Sequence, residues 1–202
     1  MNEDQWIDLM NRVGISDNLE TFSQLQSSYN QKHRHYHSVH HIDAVLKHLK
    51  KTRHLANDYE ALETALWFHD AIYKIFSSTN ELDSANWAQQ FLQDNQVNNK
   101  FISKVHGLIM VTLHNAIPQE SDEQLMVDID LSILGTDPAT YQLFEKWIRK
   151  EYQLIPAFIY KKKRKAILSE FLQRDRIYSH EYFYEKLETK ARINMKQAIQ
   201  NL

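Results

Sequence analysis

The stretch His33-Arg34-His35-Tyr36-His37-Ser38-Val39-His40-His41 holds five of the chain's eleven histidines within nine residues. Imidazole titrates near neutrality and, as the neutral base, is the commonest metal ligand. His37 and His41 stand four apart. A continuous helix would place them on one face. If Ser38 instead caps a helix, His37 leans over its end. Either way both can approach one site, while His33 and His35 read as solvated members of the tract.

Two other segments set carboxylates among apolar residues. In Leu66-Trp67-Phe68-His69-Asp70-Ala71-Ile72-Tyr73, a charged aspartate beside bulky apolar groups is costly unless something offsets it. A divalent cation would. The bland alternative is a helix crossing the surface, with Asp70 in water and His69 satisfied in the core. In DIDLSILG, Asp130 is surrounded by Ile129, Leu131, Ile133 and Leu134, with Asp128 available as a cap or supporting partner. Here the alternative is that both acids are solvated. A hydrolytic metal site needs imidazole and carboxylate ligands from several elements, with coordination positions left open for water.

His41, then His69-Asp70, then Asp130 match the H…HD…D order of the HD-domain superfamily of metal-dependent phosphohydrolases. The words HYHSVHHI, ALWFHDAIY, TNELDSA, DIDLSILG, IRKEY and FLQRDRIY resemble one bacterial subfamily of about this length, the predicted metal-dependent HD phosphohydrolases. The likeness runs over residues 29–195. It implies an all-α, HD-domain-like helical bundle around a buried metal site, formed as a single domain over residues 1–202. It also implies His41, His69, Asp70 and Asp130 as ligands, with Asp70 able to bridge to a second metal. His114 in VTLHN is the best candidate for that second site, ahead of His106, and a helix-end histidine is the alternative. Two nitrogens and two carboxylates suit Mn²⁺, Fe²⁺, Zn²⁺ or, less well, Mg²⁺.

Tyr36-His37-Ser38 is similar to the tyrosine-histidine-asparagine motif ahead of the first metal histidine in cyclic-nucleotide phosphodiesterases. Carried over, that likeness makes His37 the general acid that protonates the leaving oxygen, and His41 the ligand. Ser38 departs from the asparagine. Phosphate needs cationic contacts, for which Arg34, Lys74 and Arg149 are candidates, as is Arg192, although each also has a structural reading. Glu81 is either an active-site acid or a first-turn helix charge.

The elements that must position these residues read as helices. Gly and Pro number only three each, too few for a sheet protein rich in tight turns, while good helix formers fill most of the chain. Periodicity predicts helices over 5–10 or slightly beyond, 18–29, 39–49 behind Ser38, and 59–73. Further helices are predicted over 81–94, 101–113, 138–152 with Pro138 in its first turn, 159–174 and 181–200. The first half of 126–135 alternates like a strand, but no second strand candidate pairs with it, so it reads as a helix ending at Gly135. Pro118 and the following QESDE read as a loop, and KKKRK at 161–165 as a solvated helix face.

Composition closes off other classes. Cysteine is absent, which removes disulfides, thiolate metal sites and cysteine nucleophiles. A net charge of −2 disfavours a polyanion-binding surface. The acidic start MNEDQWIDLM does not look like a signal peptide, and no apolar run has the length of a membrane span. The expectation is a cytoplasmic hydrolase acting on a nucleotide or other small phosphoester, with no membrane or nucleic-acid partner and its oligomeric state undetermined. Three rivals differ in what they predict. A di-iron HD oxygenase would carry iron and take up oxygen. A non-catalytic nucleotide-binding HD protein would bind without turnover. A nucleic-acid binder using KKKRK would show salt-dependent binding to an oligonucleotide.

Overall fold

A computed structural model describes residues 1–16 and 19–202, and every regular element among them is helical. The chain forms two compact units, Met1–Val127 and Asp128–Leu202.

The first unit opens with α1 (Glu3–Val13). Asn2 caps it by accepting the Gln5 N–H at 3.0 Å, and Gly14 closes it in the left-handed region at φ 82°. Helix α2 follows over Leu19–Tyr29; Asn18, expected as its first residue, lies outside the described residues. Helix α3 (Val39–Lys51) begins after Ser38 as predicted, and a short 3₁₀ turn, Arg53–Leu55, follows it. Helix α4 (Tyr59–Phe68) starts from Asp58, whose carboxylate accepts the Ala61 N–H at 3.0 Å. Next come α5 (Asn80–Asp94) and α6 (Asn99–Met110), the latter extended by 3₁₀ residues Val111–Leu113.

Helix α4 is the axis of this unit and packs against α1, α3, α5 and α6. Every residue from Ala61 to Phe68 is buried. Trp6, Phe22, Trp67, Phe68 and Phe91 form an aromatic cluster, with Trp6 edge-on to Trp67 at 5.4 Å and Phe68 5.5 Å from Phe91. Each such side chain contributes about 1.5–3 kcal/mol by leaving water. The one acid buried in α4, Glu63, is neutralised by Arg12 and receives a hydrogen bond from Gln5 at 3.0 Å.

Helix α7 (Ser121–Asp130) starts five residues earlier than the predicted 126–135 element, inside the segment read as a loop. It gives way to a 3₁₀ segment, Leu131–Gly135. The second unit begins at Asp128, within α7, and continues through that segment into α8 (Pro138–Glu151), α9 (Ala157–Gln173) and α10 (Glu181–Asn201). Helix α8 is capped by Asp137 with Pro138 in its first turn, as predicted. Helix α10 packs against the 3₁₀ segment, α8 and α9.

Buried acids tie this unit's chain ends together. Asp128, fully buried, accepts the Ser179 and His180 N–H groups at 2.8 and 2.7 Å just ahead of α10. Burial pushes its pKa up to about 6, although both hydrogen bonds pull the other way. Glu188 accepts from Ile177 and Tyr178, and Arg192 bridges Glu188 to the carbonyls of Leu172, Arg174 and Asp175. Arg192 therefore serves the packing of this unit. The KKKRK run is not uniformly solvated. Lys161, Lys162, Lys163 and Lys165 are exposed, but Arg164 pairs with Glu145 at 2.6 Å and lies over the Phe144 ring.

Candidate metal centre

Helix α4 stops at Phe68, five residues short of the predicted end. His69 and Asp70 therefore sit in a turn and not within a helix, and Tyr73 does not share a helical face with Leu62 and Leu66. No glycine or proline marks the stop; tertiary partners replace the next helical turn. Arg34 donates to the Asp70 and Ala71 carbonyls. Ser84 of α5 accepts the Ile72 N–H at 3.0 Å and donates to the Ile72 carbonyl at 3.4 Å. Asn80 bonds both the N–H and the carbonyl of Lys74 at 3.0 Å.

Three ligand atoms converge there. His41 Nε2 lies 3.1 Å from His69 Nε2, and Asp70 Oδ2 lies 3.4 Å from the first and 3.2 Å from the second. His41 and His69 are buried. His69 Nδ1 is 3.0 Å from the Leu66 carbonyl oxygen. A carbonyl only accepts, so Nδ1 carries the proton, and in the neutral ring Nε2 is left with its lone pair facing the site. That backbone bond is the usual support of a metal-ligating imidazole.

This geometry tests whether the residues fit a cation. A lone pair facing a carboxylate oxygen at 3.2 Å is repulsive unless a proton or a metal cation lies between them. At metal–nitrogen lengths near 2.0–2.1 Å, neighbouring ligands lie about 3.0–3.4 Å apart in octahedral or tetrahedral arrangements. The three observed separations span that range. His41, His69 and Asp70 thus form a set able to hold a metal ion. Burial alone would raise the Asp70 pKa, but His69, His37 and His41 outweigh it and hold the carboxyl well below the usual range.

The histidine tract wraps this set. Ser38 takes the N-cap position of α3, but its side chain makes no capping bond. His37 stacks on Tyr73 at 4.2 Å and 26°. Tyr36 lies 4.8 Å from the His41 ring. The expectation that His33 and His35 are solvated fails: both are half-buried. His33 Nε2 donates to the Tyr73 carbonyl at 2.9 Å and its ring stacks on Tyr73. Of the five histidines only His40 is exposed.

Glu81, in the first turn of α5, is half-buried. Burial raises its pKa, the Asp70 carboxylate adds to the rise, and His114 and His37 oppose it. Glu81 thus feels the fields of Asp70, His37 and His114. His114 follows the 3₁₀ turn after α6 in a left-handed conformation, φ 54°. Lys74 is largely exposed, 3.7 Å from Asp83. Arg34 is buried, and its guanidinium donates to protein carbonyls.

In the second unit, Asp130 is the last residue of α7 and half-buried. Arg149 donates to the carbonyls of Tyr152 and Ile155 and stacks on Tyr160; its guanidinium closes the end of α8. A separate cavity of about 230 Å³ in the first unit is lined by other residues, among them Asn57, Lys104 and Asp122. There Lys104 bridges Asp122 and Asp58 at 2.7 and 3.4 Å, so its charges satisfy one another.

The placing of Ser84, Asn80 and Tyr73 was not read from the sequence, although Asn80 and Ser84 lie within the quoted word TNELDSA. No family model, no curated protein and no solved structure matches this chain.

Proposed function

We propose that this protein is a metal-dependent phosphohydrolase of the HD type, acting on a nucleotide or other small phosphoester. The observation that supports it most is the convergence of His41 Nε2, His69 Nε2 and Asp70 Oδ2 within 3.4 Å, with His69 Nδ1 held by the Leu66 carbonyl. Asp130 joins the ligand set on the order of the sequence pattern. A divalent cation, when bound, supplies Lewis acidity, polarising a phosphoryl oxygen and acidifying water.

The chain's own groups supply the rest. His37, stacked on Tyr73 beside His41, is oriented to give a proton to the departing oxygen. Asp70 stays ionised at working pH because the surrounding imidazoles favour its charge. Glu81, whose pKa burial raises, is assigned to hold a proton or orient water. His114 is the candidate for a second cation, and Lys74, on the exposed turn beyond Asp70, for a phosphate contact.

The test is a phosphatase and phosphodiesterase screen over nucleotides, run with Mn²⁺, Fe²⁺, Zn²⁺ and Mg²⁺ in turn, on the wild type and Asp70→Ala. Turnover is expected with at least one metal, and Asp70→Ala should lose both turnover and metal content by elemental analysis. Full metal content in Asp70→Ala would refute the centre. Iron with oxygen uptake and no phosphate release would replace hydrolysis with oxidation.

A further inference from the structure

Arg34 stands out among the chain's buried charges. The residue is 6% exposed, and four of its hydrogen bonds go to oxygen atoms of the protein. One terminal nitrogen donates to the His37 carbonyl at 3.2 Å and the Asp70 carbonyl at 2.5 Å. The other donates to the Ala71 carbonyl at 2.8 Å, and Nε to the Gln31 side-chain oxygen at 3.2 Å. The Tyr29 and Tyr73 rings flank the cation at 5.2 and 5.6 Å. Burying a guanidinium is costly, and here its fork spans two backbone segments, one at His37 and one at Asp70–Ala71. One segment leads into His41; the other carries Asp70 and follows His69.

His41 follows the first of these segments, while His69 and Asp70 belong to the second, and their ligand atoms meet within 3.4 Å. A planar donor fixed to the carbonyls of both segments holds that meeting in register. A lysine cannot do the same, because one ammonium on a flexible stem does not reproduce the fork. We propose that Arg34 is the positioning residue of the metal centre: it holds the His37–His41 turn against the Asp70–Ala71 turn so that the ligand set is preformed, and it does not contact phosphate. This rests on the reading of His41, His69 and Asp70 as a metal centre, and not on the reaction catalysed there.

The experiment titrates the full-length wild type, Arg34→Lys and Arg34→Met with Co²⁺ alone, read by visible absorption, with folding checked by circular dichroism. Both variants should bind Co²⁺ about 10–100-fold more weakly, the usual effect of removing a group that supports ligands. Millimolar guanidinium, far below denaturing levels, should recover part of the Arg34→Met loss, while equal sodium or urea should not. Wild-type affinity in both folded variants would overturn the proposal, as would a loss that guanidinium does not reduce. Unfolding of both variants would assign Arg34 to the fold instead and equally overturn it. If the wild type itself binds no Co²⁺, the metal reading falls first and takes this role with it.

Discussion

Gly135 ends the 3₁₀ segment that follows Asp130, and a side chain there has nowhere to go. A Cβ added at Gly135 would lie 2.4 Å from the Leu187 Cβ, 2.8 Å from its Cα and 2.8 Å from its carbonyl oxygen. Ordinary carbon contacts begin near 3.5 Å, so the overlap is about 1 Å. Two of the three atoms are backbone, and no rotamer of Leu187 relieves it. Helix α10 would have to retreat. Asn194 of α10 donates at 2.9 Å to the carbonyls of Leu134 and Thr136, on either side of Gly135, and a retreat would stretch both bonds. Overpacking costs about 1–3 kcal/mol and each weakened bond about 1 kcal/mol. Gly135→Ala is therefore expected to lose about 3–5 kcal/mol, read as a lower midpoint in urea with circular dichroism. Gly107 is the control. It lies inside α6, with nothing within 4 Å of an added Cβ, so Gly107→Ala should gain about 0.5–1 kcal/mol from helix propensity. A Gly135→Ala loss under about 1 kcal/mol, or equal effects at the two glycines, would refute the close-approach argument.

On the proposed reading, the histidine tract divides into a ligand and an acid. His41→Ala should lower metal content and rate together. His37→Ala should keep the metal and lose about 10²–10⁴-fold in rate, less on a nitrophenyl ester whose leaving group needs little protonation; metal analysis and turnover on both substrates decide it, and the reverse pattern would exchange the two roles. Neutralising Lys161, Lys162 and Lys163 together should leave folding and turnover nearly unchanged. Arg164→Ala should cost about 2–3 kcal/mol, because it strands Glu145 in a pair that is only partly open to water, and urea unfolding compares the two. Asp128→Asn should lose about 2–4 kcal/mol by turning an amide donor toward one of the two N–H groups ahead of α10; an unchanged midpoint would show that the cap contributes nothing.

How much could be read in advance depends on where each instruction lies in the chain. Ser38, Pro138 and the break at 77–80 are local signals, and the helices they mark begin within a residue of expectation. The end of α4 is different. The apolar run continues through Ala71-Ile72-Tyr73, and helix was the reasonable expectation. What stops it is Arg34 and Ser84, 36 and 12 residues away in sequence. In KKKRK the four lysines are exposed as expected, while Arg164 turns to Glu145, 19 residues earlier, for the same reason. Gly135 was read as an ordinary helix stop, whereas its constraint comes from Leu187 of α10.

The candidate centre divides along the same line. His41, His69 and Asp70 are legible because ligation is a property of the side chain itself: two imidazoles and a carboxylate announce what they can bind. Arg34 was a candidate phosphate contact by that same logic, charge matched to charge, beside a structural reading. Its terminal nitrogens donate to backbone carbonyls, which every residue carries and no sequence distinguishes. A sequence can therefore name the atoms that could hold a cation while hiding the group that holds those atoms together. The placement of that group, and the meeting of His41 with the His69–Asp70 turn, emerges only when the backbone is folded.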